Sequence, residues 1–258
     1  MNRIKNLFAN KGNNRILSIY FTAGYPTIDS TLDIAEALER AGADFLEIGF
    51  PYSDPVADGP VIQHSSEAAL HNGMTLEVLF DQLKDLRSRV NIPVFLMGYV
   101  NPVLQYGVEN FCKACAEVGV DGVIVPDLPM YEYEAQYQSV FEAHGLSNIF
   151  LVTPQTSETR IRKIDSLSTG FIYLLSSSAT TGKNLNISEN TESYFSRIAG
   201  MGLDNPTVIG FGISNHHTFV HATDHADGAI VGSAFVKLLD EPDYLAKIAP
   251  FIHQLKGG

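Results

Sequence analysis

The chain has 258 residues, 45% of them hydrophobic and 18% charged, which is enough for a sizeable core and fits one α/β barrel or two average domains. A formal net charge of −12 excludes the clustered basic surface that nucleic acids or anionic membranes require, and it leaves the binding of any phosphate to backbone N–H groups and helix ends. No apolar run approaches the roughly 20 residues that cross a bilayer, and "MNRIKNLFANKGNN" lacks the apolar stretch and cleavage site of a signal peptide. A cytoplasmic location is expected.

In chain order, "MNRIKNLFA" reads as a short extra helix at the base of the fold. Strand-like runs then recur at 16–24, 44–51, 93–100, 122–129, 148–154, 170–178, 206–214 and 228–236. They are nearly continuously apolar, as strands covered on both faces should be. Between them lie segments with helical periodicity, such as "STLDIAEALERAGA", with Asp29 or Ser30 as its N-terminal cap and Gly42 at its end. Eight β/α pairs without a linker predict an α/β fold: a single (β/α)8 TIM barrel domain spanning 1–258, with an extra N-terminal helix. A doubly wound sheet is the competing fold, but "FTAGYP" after the first strand is not a dinucleotide fingerprint.

A barrel of this kind places function at the C-terminal ends of its strands. The stretch "EIGFPYSDPVADGP" puts Glu47 in an otherwise apolar strand and Asp54 and Asp58 in a loop stiffened by Pro51, Pro55 and Pro60. Burial raises a glutamate pKa toward neutrality, which suits an acid–base group. Pairing with a Lys or Arg is the structural alternative for Glu47. Asp58 alone could equally shape the Asp58–Gly59 turn. Asp127 follows the fourth strand and Tyr173 lies in the sixth. "GFGIS" and "VGSA" end the last two strands, where glycine turns and helix starts commonly hold phosphate. The long loop "SSSATTGKNLNISENTE" reads as a lid, with Thr181 and Gly182 offering a hydroxyl and an N–H.

Two other patterns carry less. Cys112 and Cys115 form C-x-x-C, but inside an amphipathic helix and without further zinc ligands, so they read as packed thiols. His217, His221 and His225 fall four apart on a helix outside the barrel, and a solvated polar face is the plainer reading. No metal is expected.

The run "FLEIGFPYSDPVADGPVIQ", with "FTAGYP" before it and "VIVPDLP", "YLLSSSATTG", "GFGIS" and "VGSAFV" after it, resembles the tryptophan synthase alpha chain family over about residues 4 to 250. The resemblance implies a lyase that splits indole-3-glycerol phosphate into indole and glyceraldehyde 3-phosphate by a retro-aldol reaction, with the indole passed on for L-tryptophan synthesis. By it, Glu47 is the catalytic acid–base, and Asp58 accepts the indole N–H. Tyr173 and Thr181 support them. Gly182, Gly212, Gly232 and Ser233 bind phosphate, while Tyr20, Ile62, Met97, Ile124, Tyr173, Phe211 and Ile230 line the indole pocket. Asp54 faces a partner beta subunit in an α2β2 heterotetramer. No cofactor is expected in this chain, pyridoxal phosphate belonging to the partner. One departure is Ser177 and Ala179, where the family's lid often has Gly and a basic residue. Two alternatives stay open: a stand-alone lyase with the same pocket, and a catalytically weak barrel acting as an allosteric activator of the beta chain.

Overall fold

The computed structural model describes residues 3–176, 189–210 and 212–258. Its centre is a closed parallel barrel of eight strands paired in sequence order: β1 (Ile16–Thr22), β2 (Phe45–Gly49), β3 (Val94–Met97), β4 (Gly122–Ile124), β5 (Ser147–Val152), β6 (Ile172–Leu175), β7 (Thr207–Gly210) and β8 (Gly228–Val231). The sheet closes where β1 pairs with β8. All eight predicted strands are present, and all eight stop short of their predicted C-terminal ends. The apolar runs continue past the ladder into top loops that are themselves buried: Ala23, Tyr25, Phe50, Tyr99 and Val125 are core residues outside any strand. Hydrophobicity reports burial, whereas the ladder ends where glycine and proline break it.

Alternation along the strands sorts side chains between the barrel interior and the helix layer. At the lower end Phe45, Phe95 and Phe171 meet with ring centroids 5.3–5.9 Å apart. The extra N-terminal helix, Arg3–Ala9, closes this end by packing Ile4, Leu7 and Phe8 against the same cluster. Two residues above Phe45 the same inward face carries Glu47, opposite Tyr20 on β1. Tyr20, Met97, Ile124, Tyr173 and Ile230 share that interior cluster. Two glycines make room for the tyrosines: a Cβ on Gly49 or on Gly210 would lie 2.2 Å from the hydroxyl of Tyr20 or of Tyr173.

Three aspartates tie the lower rim. Each precedes a strand and accepts a backbone N–H from the strand before it: Asp44 from Leu17 (2.8 Å), Asp121 from Val94 (2.9 Å) and Asp227 from Thr207 (2.9 Å). Asp121 also binds Arg3 at 3.0 Å and Arg87 at 2.7 Å, so one buried carboxylate joins β3, β4 and the N-terminal helix.

Local expectations fared unevenly. Gly42, at φ 99°, ends the helix Thr31–Ala41 as anticipated. Ser30 does not cap that helix with its side chain; its hydroxyl is turned to the carbonyls of Tyr25 and Thr27 instead. Cys112 and Cys115 are free, buried thiols in the helix Val108–Val118, and burial raises both pKa values, that of Cys112 to about 12. The histidine face divides: His217 is exposed, as a solvated polar face requires, whereas the partly buried His221 and His225 turn toward Glu192 on the neighbouring helix. Among the described residues no helix is long and apolar enough to cross a membrane.

Asp121→Ala should lower unfolding free energy by ~3 kcal/mol, because it strands a largely buried guanidinium and an orphaned strand N–H. Chemical denaturation measures it, and a loss below ~1 kcal/mol would show that the rim does not depend on this carboxylate.

Candidate active site

Glu47 lies in the middle of β2, between the phenylalanine layer and the upper mouth of the barrel. Its side chain is fully buried, and neither carboxyl oxygen has a hydrogen-bond partner among the described residues. The Lys or Arg partner that a structural glutamate would need is therefore missing among them. Desolvation disfavours the charged form and pushes its pKa up to about 8. At neutral pH the group is mostly a neutral acid with a proton to give.

Asp58 is fixed from three sides just before the helix Pro60–His71. Its backbone N–H donates to Pro55 O at 3.0 Å, its carbonyl accepts from Gln63 at 2.9 Å, and its carboxylate accepts from the Tyr99 hydroxyl at 3.0 Å. The Tyr99 oxygen in turn accepts the Ala57 N–H at 3.0 Å. Burial raises the Asp58 pKa to about 6, against the opposing pull of the Tyr99 hydrogen bond. Its carboxylate thus does more than shape the Asp58–Gly59 turn. It is held as an anion at neutral pH beside a cleft lined by Tyr20, Met97 and Tyr99.

Tyr20, opposite Glu47 on the neighbouring strand, and Tyr173 share this part of the barrel with the two acids. Both phenols have pKa values raised first by burial and then by the fields of Glu47 and Asp58, so both stay neutral. Further along β1, the Thr22 hydroxyl is 2.6 Å from that of Ser65. The structure thus brings Glu47, Asp58, Tyr20 and Tyr173 into one electrostatic neighbourhood, with Met97, Ile124 and Ile230 in the same interior cluster. Ile62, on the helix after Asp58, is buried at 2% exposure.

Other expected residues sit apart or out of view. Asp54 is exposed, its carboxylate 3.4 Å from Ser53, in a loop that leaves Val56 81% exposed. Asp127 accepts the Val100 N–H at 2.9 Å and so serves the helix Val100–Tyr106. Gly212 has a φ of 79°, a left-handed turn that favours glycine, after β7. Gly232 precedes the short helix Ser233–Leu238; its carbonyl takes the N–H groups of Phe235 and Val236, so those of Ser233 and Ala234 are the ones without an acceptor in that turn. Thr181, Gly182 and Phe211, with Ser177 and Ala179, lie outside the described residues.

Tyr99 was not singled out by sequence, although a phenol directly after a barrel strand was a usable signal. The Thr22–Ser65 pair spans 43 residues and left no local trace.

Residues 7–251 match the family profile of the tryptophan synthase alpha chain. The curated tryptophan synthase alpha chain of Flavobacterium johnsoniae is 54% identical over 256 residues, covering 99% of this chain and 100% of that one. That of Phocaeicola vulgatus is 55% identical over 243 residues, 94% of each. Among solved structures, Mycobacterium tuberculosis tryptophan synthase superposes with a TM-score of 0.89 at 33% identity, covering 98% of this chain and 96% of that one. The Pyrococcus furiosus tryptophan synthase complex gives a TM-score of 0.85 at 34% identity, covering 94% and 98%. By sequence along its whole length and by fold, the chain belongs to the tryptophan synthase alpha chain family.

Proposed function

We propose that this chain cleaves indole-3-glycerol phosphate into indole and glyceraldehyde 3-phosphate, with Glu47 as the acid–base and Asp58 as the group that holds the indole N–H. Family membership gives it a lyase role in tryptophan synthesis. The observation that carries the finer reading is the carboxyl of Glu47, buried and unpaired among the described residues, whose pKa is raised to about 8.

Protonated Glu47 donates its proton to indole C3, and the ring nitrogen takes up the positive charge. The Asp58 carboxylate accepts the N–H and stabilises that charge; a fixed anion aimed at developing charge costs no reorganisation during the reaction. Glu47, now a carboxylate, removes the proton of the hydroxyl on the carbon attached to C3. The C–C bond breaks, its electrons return to the ring, and the former carbinol carbon becomes the aldehyde. Glu47 ends protonated again, so the cycle is proton-neutral. The neutral phenols of Tyr20 and Tyr173 and the apolar Met97, Ile124 and Ile230 would enclose the indole ring. Phosphate would sit on the turns at Gly212 and at Gly232–Ser233. Gly182 and Thr181 would complete the closed site, as would Phe211.

We extend the reading to a beta-subunit partner because the chain superposes on subunits of the M. tuberculosis synthase and of the P. furiosus complex. Asp54 and Val56, exposed on the loop that carries Asp58, suit a docking role in an α2β2 assembly. Pyridoxal phosphate would then be the partner's, receiving indole made here.

Glu47→Gln should reduce indole release by ~10²- to 10⁴-fold, the range of a lost general acid–base group, and should also stabilise the fold. Because folding raises this pKa, its stabilising contribution is complete below pH 4.5 and is lost as pH rises toward about 8, at ~1.4 kcal/mol per pH unit. The amide therefore gains most over wild type at pH 8 and nothing at pH 4. Activity assays and denaturation at both pH values test this; undiminished turnover would sink the catalytic assignment.

The kcat/KM profile should be bell-shaped, with limbs near pH 6 for Asp58 and near pH 8 for Glu47. Tyr99→Phe removes the hydrogen bond that lowers the Asp58 pKa, so the acidic limb should move to higher pH while the basic limb stays. An acidic limb unmoved by this substitution would mean that Asp58 is not the group titrating there.

A further inference from the structure

Outside the barrel, the helix Glu189–Ala199 after β6 lies beside the helix His216–His225 after β7. His221 and His225 are one turn apart on the second helix and share a face. Both aim Nε2 at one carboxylate on the first helix: His221 is 2.6 Å from Glu192 Oε1, and His225 is 3.2 Å from Glu192 Oε2. The imidazole centroids are 5.2 Å apart, and Phe195, itself fully buried, packs its ring 5.6 Å from that of His225. His221 Nδ1 is buried with no hydrogen-bond partner among the described residues, so its contact with Glu192 at Nε2 is what orients the ring.

We propose that Glu192, His221 and His225 form a binding site for a first-row divalent cation, best met by Zn²⁺, that clips these two helices together. One donor atom from each residue already lies within 4.8 Å of the others. Tetrahedral zinc with bonds of ~2.1 Å places its donors ~3.4 Å apart, so small side-chain movements suffice. Two imidazoles and one carboxylate suit zinc, cobalt or nickel; calcium and magnesium prefer all-oxygen sets. The ion takes the place of the Nε2 protons, each neutral imidazole then carrying its proton on Nδ1; its charge is welcome in a chain of net −12, and water fills the fourth position. The ligands come from two elements that no sequence motif joins: Glu192 is 29 residues from His221. The site is independent of Glu47 and Asp58 and of the reaction proposed for them.

The test uses the untagged full-length chain, stripped with chelator and titrated with Zn²⁺, Co²⁺ or Mg²⁺. Wild type should show a saturable rise in melting temperature with Zn²⁺, a folded-to-unfolded ratio raised ~100-fold at a hundred times Kd, and the visible absorption of tetrahedral Co²⁺. Mg²⁺ should give neither. Glu192→Gln should weaken Zn²⁺ by ~100-fold, and the double variant His221→Gln/His225→Gln should abolish both signals. A wild-type protein with no Zn²⁺ shift and no tetrahedral Co²⁺ spectrum overturns the site even if a variant fails to fold. A response that survives the double variant also overturns it, because the ion is then bound elsewhere.

Discussion

A carboxyl group inside a packed barrel, with no counter-ion among the described residues, governs the arrangement around it. Glu47 stands one layer above three interlocked phenylalanines, and the N-terminal helix closes the floor beneath them. Water and charge are thereby kept from its lower side. A charged carboxylate in such surroundings is costly, and protonation is the cheapest escape. The barrel thus turns an ordinary glutamate into a weak acid matched to neutral pH. The glycines beside it matter for the same reason: Gly49 and Gly210 admit the rings of Tyr20 and Tyr173, which fill the space with neutral phenols and bring no cation.

Asp58 supplies the contrast. It too is partly desolvated, but Tyr99 hydrogen-bonds its carboxylate and its backbone is pinned by Pro55 and Gln63. The two acids are pushed to different extents, to about 8 and about 6, and between those values one is neutral while the other is charged. Two carboxyl groups that titrate apart can take different roles in one cycle. In the proposed reaction one gives and takes protons, and the other stays an anion opposite the indole nitrogen.

Much of the fold was legible because parallel strands buried on both faces read as continuous apolar runs. Their ends were not, since Tyr25, Phe50 and Tyr99 are as buried as strand residues. Glu47 stood out as an acid among apolar neighbours, and its loop motif carried the resemblance. Tyr99 did not stand out, because a phenol in "FLMGYV" looks like more core. The histidine helix was legible in part. His217 is exposed as its own segment suggests, while the carboxylate that His221 and His225 face lies on another helix. The rim aspartates Asp44, Asp121 and Asp227 likewise gain meaning only when the preceding strand's N–H is in place. What a residue's own segment decides was readable; what a distant partner decides was not.

The most direct measurement is the titration of the Glu47 carboxyl itself, by carbon NMR of glutamate-labelled protein with Glu47→Gln identifying the resonance. A buried acid of the kind described here titrates near pH 8 and is protonated in most molecules at pH 7. A carboxyl that titrates near pH 4.5 would be an anion under working conditions with no proton to deliver to carbon, and the reading of this site as an acid–base centre would fail.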